Sequence, residues 1–397
     1  MFNFKNTKEL KNFLYDEILI ASEALIILGI TSQRLHQFIK SGRIEPIKKT
    51  KAGTLYLKSE IYELKNELDH NTSGKQIIKN NTYPYLNNVS QERLIECVNY
   101  FSLYPFFNSS PKKIENFYLQ YKQEIDFKIP FNEQEKNVSS LLLKDSEDIK
   151  KVYEKVLKSF HKLDSNDHII KRGDSYYPKL LDLTEEAPRF LFMRGNINLI
   201  NQHCISVVGT RNPTLDGEKK ANSLASFLGK REMVVTSGLA KGIDTAAHKG
   251  ALQNNFETIG VLGTPLNRYY PKENEYLQRD IGTHNLLISQ FSPSSTIHRW
   301  NFPMRNGVMS GLSLATVIIE AGETSGSLIQ ANYAIKQGRV VFIPQSALDN
   351  SDLNWPKKYI EKDGVYTFSK ISELINTLED FYNKFNTINH QDSLFER

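Results

Sequence analysis

Four turns of small residues carry the clearest chemistry in this chain: Gly209-Thr210-Arg211, Ser237-Gly238-Leu239, Gly263-Thr264-Pro265 and Ser325-Gly326-Ser327. Glycine lets a backbone approach an anion closely and adopt conformations that other residues avoid. Helix starts add free N–H groups and a partial positive charge. Arg211, Lys241 and Arg305 stand in or beside these turns, where a guanidinium or an ammonium can pair with phosphate oxygens. One such turn needs no explanation beyond a tight strand-to-helix connection. Four on one edge, with cations nearby, point to phosphate binding. His248 falls mid-helix in AAHKG and reads as a structural histidine, and Asp244 reads as a brace for the loop at Lys241. Glu320 ends a strand and would suit a nucleotide-cleaving site, yet no partner nucleophile or metal cluster accompanies it in the sequence. No catalytic residue, metal ligand or cofactor is therefore expected.

The turns share an edge only if the segments before them lie side by side. Between His203 and Gln345 short apolar runs alternate with helical patterns. CISVVG, MVVTSG, TIGVLG, NLLISQF, ATVIIEA and RVVFIP read as strands; TLDGEKKANSLASFLGKR, GIDTAAHKGALQN and SGSLIQANYAIKQG read as helices. In the first of these helices Leu215, Ala221, Leu224, Ala225 and Leu228 share a face. Near-continuous apolar strands separated by helices predict an α/β domain, a Rossmann-like, mostly parallel sheet with helices on both faces. Right-handed crossovers then place the loops after the strands on one edge. A dinucleotide site would want G-x-G-x-x-G after the first strand. The turn here reads G-T-R-N-P-T, with Pro213, which disfavours a nicotinamide oxidoreductase.

A chain of 397 residues predicts two or three domains. Residues 1–70 read as a small winged helix-turn-helix, and 71–160 as a linker followed by helical patterns of no assigned role. Residues 161–345 form the Rossmann-like domain, and 346–397 its divergent tail, ending in an amphipathic helix around Ile371 to Phe381. The net charge of +5 is compatible with nucleic acid without demanding it. Cys97 and Cys204 lie far apart and show no metal-ligand spacing. With no apolar leader and no apolar run long enough to span a bilayer, a cytoplasmic protein without a membrane partner is expected.

The strings themselves resemble the DprA/Smf family of DNA-processing proteins, in order along the chain. VVGTRNPTLDG is similar to the family's opening G-[ST]-R-x-x-[ST] turn, and TSGLAKGIDTAAHKGAL to its S-G-L-A-[RK]-G-I-D-x-x-A-H segment. TIGVLGTPLNRYYPKEN matches the segment ending Y-P-x-x-N, FPMRNGVMSGLS resembles F-P-x-R-N-R-x-I-x-G-L-S, and VIIEAGETSGSLIQANYAIKQGRVVFIP resembles the E-A-x-x-x-S-G-[ST]-L-x-T-A stretch. Upstream, DSYYPKLL and APRFLFMRGN match the lead-in, so the resemblance covers about Asp164 to Pro344. It implies a Rossmann-like fold, binding of single-stranded DNA, a homodimer, and loading of a RecA-type recombinase during natural transformation, without catalysis. It carries over Arg211, Lys241 and Arg305 as phosphate contacts. Gly209, Gly238, Gly263 and Ser327 form the backbone rim, with Thr210, Ser237 and Gly326 in the same turns, and Asn306 and Asn274 are further polar contacts. Single-strand binding without sequence choice also wants faces for base stacking. Tyr269, Tyr270, Trp300 and Phe302 offer them, although packing suits Phe302 better. Four departures stand out. Gly307 replaces the family's second arginine, Gln330 a threonine, and Gln345 a glycine; the family's frequent C-terminal winged helix does not fit in the roughly 50 residues that follow. They bear on recombinase loading more than on the fold.

At the other end, Ser22 to Leu28 reads as one helix ended by Gly29, and Thr31 or Ser32 can cap a second in which Leu35, Phe38 and Ile39 face inward. Gln33, Arg34, Gln37 and Lys40 would then face outward, beside a hairpin carrying Lys48, Lys49 and Lys51. From Ser32 to Lys58 there are seven Lys or Arg and one acid, Glu45. The pattern resembles the winged helix-turn-helix of the MerR/excisionase group, which implies that Gln33, Arg34, Gln37, Lys40, Lys48, Lys49 and Lys51 contact duplex DNA. Two other readings stay open: a nucleotide-binding sensor or nucleotide-processing enzyme using the same crest, and a regulator whose N-terminal module reads one duplex site.

Overall fold

The computed structural model describes residues 18–64, other than 29, 31, 51, 52, 59, 62 and 63, and residues 83–389. The chain divides into two compact units, Met1–Thr82 and Tyr83–Arg397. In the first, β1 (Ile18–Ile20) leads into α1 (Ala21–Leu28) and α2 (Ser32–Lys40), and then into the hairpin of β2 (Lys48–Thr50) and β3 (Gly53–Leu57). Its sheet is antiparallel in the order β1-β3-β2. Leu35 and Phe38, three apart on α2, close on Ala24, Leu28, Ile44 and Tyr56 to make a small core.

The second unit begins with four helices, α3 (Gln91–Ser102), α4 (Pro111–Tyr121), α5 (Glu135–Leu142) and α6 (Ser146–Phe160). Ser90 caps α3 by accepting from the Arg93 amide, and Asp145 caps α6 by accepting from the Glu147 amide. The fully buried Asn99 ties their connections together, donating to the carbonyls of Phe127 (2.9 Å) and Ile129 (2.7 Å) and accepting from the Phe131 amide (3.0 Å). This helical layer shares one core with the sheet: Phe101 and Phe160 meet Phe192 of the strand that follows. Ion pairs Lys171–Glu96, Arg189–Glu115 and Arg93–Asp174 fasten the rim of that contact.

Nine strands form the central sheet: β4 (His168–Lys171), β5 (Phe190–Gly195), β6 (Cys204–Val208), β7 (Val234–Ser237), β8 (Thr258–Leu262), β9 (Leu286–Ser289), β10 (Ala315–Ile318), β11 (Val340–Pro344) and β12 (Val365–Phe368). Their order is β12-β11-β10-β6-β7-β8-β9-β5-β4. The run from β12 to β9 is parallel, and β5 alone in this sheet runs the other way, antiparallel to both β9 and β4. Alternation along the strands feeds two cores. Ile205, Val207, Val340 and Phe342 face α7 (Leu215–Gly229), α8 (Ile243–Leu252) and the C-terminal helix Glu373–Asn389. Cys204, Val208, Val341 and Ile343 face the opposite way. There they meet α10 (Asn301–Leu312) and α11 (Gly326–Lys336), while α9 (Glu275–His284) packs on the core shared with the helical layer. The tail beyond residue 345 thus completes the sheet edge with β12 and covers one face with the Glu373–Asn389 helix.

Candidate functional site

The strand order reverses at β6, whose neighbours are β7 on one side and β10 on the other, so the loops after β6 and β10 diverge. In a doubly wound sheet that divergence opens a crevice. Here Glu320 bridges it. Its carbonyl accepts from the Thr210 amide (2.7 Å), and its carboxylate accepts from the Thr214 amide (3.1 Å) and hydroxyl (2.9 Å). Thr214 in turn caps α7 by accepting from the Gly217 amide (3.0 Å). Glu320 therefore serves as a latch on the β6–α7 loop. At the tip of that loop Arg211 is exposed and makes no hydrogen bond or ion pair among the described residues. The Thr210 hydroxyl is spent inside the loop, accepting from the Asn212 amide (3.2 Å).

The turn after β7 is packed directly onto this loop. Gly242 has φ +78°, and a Cβ there would lie 2.4 Å from the Thr210 carbonyl oxygen and 2.8 Å from the Arg211 carbonyl carbon. That backbone contact makes Arg211 and Lys241 neighbours on the crest. Leu239 also takes a left-handed conformation, φ +58°, and three side chains hold the turn. Asp244 accepts from the amides of Gly238 and Ala240, both at 3.2 Å. Asn274 donates to the carbonyls of Leu239 (2.8 Å) and Ala240 (3.3 Å) and to the Thr245 hydroxyl (2.8 Å). Lys241 pairs with Glu273 at 2.6 Å, both groups being more than half exposed, so the pair holds Lys241 weakly. Burial pushes the Asp244 carboxyl above the ordinary range, against the pull of the Arg305 charge and the two amides.

Arg305 differs from the other two cations. It lies inside α10, 5% exposed, where Nη1 donates to the carbonyls of Gly238 (2.5 Å) and Val261 (2.6 Å) and Nε to Asn306 Oδ1 (3.1 Å). Asn306 passes the tie on to the Gly326 carbonyl (3.2 Å). Arg305, Asn306 and Asn274, expected on the ligand side, are thus internal braces that hold the turns from beneath. The glycines follow the same logic. A Cβ on Gly238 would sit 2.0 Å from Arg305 Nη1, one on Gly263 2.6 Å from the Phe302 ring, and one on Gly209 2.6 Å from Ile243. Ser237 is buried and donates to the Val207 carbonyl (2.7 Å). At the fourth turn Ser325 caps α11, its hydroxyl 2.7 Å from that of Ser327, and the space around Gly326 is open.

Two departures from the family pattern have steric causes. A Cβ on Gly307 would meet Glu186 Cγ at 2.8 Å, so this helix face has no room for an arginine. Gln330 is fully buried; with its amide turned to satisfy both ends it donates to the Asn306 carbonyl (2.8 Å) and accepts from the Ser310 amide (3.1 Å), a span a threonine would not cover. Among the aromatics, Phe302 is half-buried with its ring 5.0 Å from that of Tyr270, and Tyr269 lies under Arg279 at 4.4 Å.

His248 is fully buried, with Nδ1 2.7 Å from the Thr258 hydroxyl, which itself donates to the Val235 carbonyl (2.8 Å). That hydroxyl can only accept, so the network assigns the ring proton to Nδ1. Burial pulls the imidazole from its ordinary 6.5 down to about 3. Between these values the unfolded chain binds a proton that the folded chain refuses, so stability is lost as pH falls from about 6.5. The expected loss between pH 7 and pH 5 is roughly 2 kcal/mol. Urea unfolding at both pH values checks it: His248→Asn should flatten this slope, and an unchanged slope would assign it to other groups.

In the N-terminal unit Arg34, Gln37, Lys40 and Lys48 are exposed, and Arg34 donates to Gln37 Oε1 (3.1 Å). Lys51, and the side chains of Gln33 and Lys49, lie outside the described residues. Among the described residues no group of three or more His, Cys, Asp or Glu could hold a metal ion, and no helix is long and apolar enough to cross a membrane.

Comparison with known proteins agrees with this architecture. The family model for DNA recombination-mediator protein A matches residues 168–379. The DNA processing protein DprA of Streptococcus pneumoniae is 43% identical over 177 residues, 44% of this chain and 62% of its own length. That of Bacillus subtilis is 36% identical over 187 residues, 47% of this chain and 63% of its own. The chain therefore spans less than two thirds of the length of these curated relatives. The X-ray structure of the Streptococcus pneumoniae DNA processing protein A superposes with a TM-score of 0.58 at 27% identity, covering 73% of this chain and 98% of that one.

Proposed function

Because the chain belongs to the DNA recombination-mediator protein A family, we propose that it processes DNA by holding a single strand along the crest at Arg211 and Lys241 and presenting it to a RecA-type recombinase. The observation that carries this reading is the exposed, unpartnered Arg211 set beside Lys241 by the contact of their two turns. Two adjacent cations on a rim of backbone turns suit consecutive phosphates of a flexible strand. The Glu320 latch favours a long ligand lying over the rim above a mononucleotide, since it occupies the crevice that a small nucleotide would enter. No bond is made or broken in this mechanism; the strand is bound and handed on, and a second copy of the chain is the expected partner in a homodimer.

We read the N-terminal unit as a companion module of the winged helix-turn-helix kind. The exposed side chains of α2 would enter a duplex groove, with Lys48 of the hairpin on a flanking phosphate.

One titration tests both readings. Fluorescent oligo-dT and a labelled duplex are each bound across a salt series by the wild type, by Arg211→Ala with Lys241→Ala, and by Lys40→Ala with Lys48→Ala. The crest variant should lose most oligo-dT affinity, and its salt slope should fall by about 1.4, at about 0.7 per phosphate contact on a single strand. The N-terminal variant should weaken only duplex binding. Oligo-dT binding untouched by the crest variant would remove the strand from this edge.

A further inference from the structure

The stretch before α10 builds a feature that the phosphate crest does not account for. Trp300 is 56% exposed, and the ring of His298 lies 4.1 Å from it, tilted by 13°, covering one face of the indole. The segment behind them is pinned. His298 Nε2 meets the Thr296 hydroxyl, and the buried Asn301 donates through its amide to the Thr296 carbonyl (3.3 Å) and through its backbone to the His298 carbonyl (3.1 Å). An indole backed on one side and open on the other, on a fixed loop, has already lost the freedom that stacking would cost it. Arg299 beside it is exposed, and Tyr270, 46% exposed, leans on Phe302 one step along the same helix.

This ledge is tied to the phosphate turns at two points. Phe302 seats against the Gly263 turn, and Arg305 of the same helix holds the Gly238 carbonyl. From the other side, Glu273 and Asn274, just after Tyr270, hold Lys241 and its turn. We propose that Trp300, backed by His298, forms a stacking subsite for an unpaired nucleobase of the strand whose phosphates lie on Arg211 and Lys241. This rests on the single-strand reading above and adds a contact to the base itself, which a duplex cannot offer while its bases are paired.

The chain has two tryptophans, and Trp355 is 2% exposed with its indole N–H bonded to the Ala321 carbonyl, so a fluorescence change on binding reports Trp300. The test uses the full chain, oligo-dT, and an abasic strand of the same length carrying the same phosphates. Oligo-dT should quench the fluorescence and the abasic strand should not. Trp300→Ala should lower affinity for oligo-dT about ten-fold or more, at the strength of one base stack, while affinity for the abasic strand and the salt slope stay as in the wild type. Trp300→Phe should recover most of the loss. Equal weakening for both strands, no weakening, or a changed oligomeric state as the sole effect of Trp300→Ala would each overturn the subsite. If Arg211→Ala with Lys241→Ala abolishes binding while Trp300→Ala does nothing, the subsite alone fails; if neither variant matters, the crest reading fails with it.

Discussion

Arg305→Ala is expected to cost about 3–5 kcal/mol of unfolding free energy, because it strips a charged donor from two buried carbonyls at once. A hydrogen bond to a charged group contributes about 1.5–3 kcal/mol, and a buried carbonyl left without its donor costs about 1–3 kcal/mol. Arg305 makes two such bonds from Nη1, to Gly238 and Val261, and water reaches little of it at 5% exposure. The Asp244 carboxylate, which the Arg305 charge helps to keep ionised, loses that support in the same step. Urea unfolding at pH 7 measures the loss. Arg305→Lys should recover only part of it, since one ammonium cannot reproduce the planar fork. Gly238→Ala should fail for the same reason from the other side, its methyl group displacing the guanidinium from 2.0 Å. In an Arg305→Ala background that methyl group meets empty space, so the double variant should be clearly less destabilised than the sum of the two singles. Additive effects would mean that Arg305 and the Gly238 turn are independent, and that the brace is misassigned.

What the sequence made legible follows from which interactions are local. The strands were readable because each is an apolar run buried on both faces, and the turns because small residues follow each run. Arg211 was readable for a related reason: it stands on a turn tip and depends on nothing distant. Arg305 was misread because an arginine beside glycine turns signals a free cation, while its acceptors lie 67 and 44 residues away along the chain. The signal that could have corrected it is the helical period of FPMRNGVMSGLS, in which Val308, Met309 and Leu312 turn inward and carry Arg305 with them. Glu320 is a similar case, its partner Thr214 being 106 residues distant. Nor could strand direction be read locally. Phe190–Gly195 is apolar like its neighbours, yet it inserts antiparallel between β9 and β4, a choice made by pairing and by the helical layer that covers it.

An ion pair on β5 carries the second large expected effect. Arg194 of β5 grips Asp167 with two parallel bonds, Nε to Oδ1 (2.7 Å) and Nη2 to Oδ2 (2.8 Å). Asp167 is fully buried and also accepts from the Asp164 amide (2.9 Å), so the carboxylate draws the lead-in before β4 onto β5. Arg194→Met removes the cation and strands a buried charge, which is expected to cost about 3–5 kcal/mol. The cost lies in the unpaired charge more than in any attraction lost, and a double-mutant cycle separates the two. Asp167→Leu alone should also destabilise, leaving the Asp164 amide without its acceptor and the guanidinium with only its Nη1 contact to the more exposed Asp164 carboxylate (3.0 Å). The combination with Arg194→Met should be far more stable than the sum of the singles, because two apolar side chains can pack where a desolvated pair stood. Oligo-dT affinity of the folded double variant should match the wild type, since neither residue reaches the crest. A double variant as unstable as the sum would show that Arg194 and Asp167 act independently and that the stranded charge is not the source of the cost, and lost affinity in a folded variant would show that β5 and the crest move together.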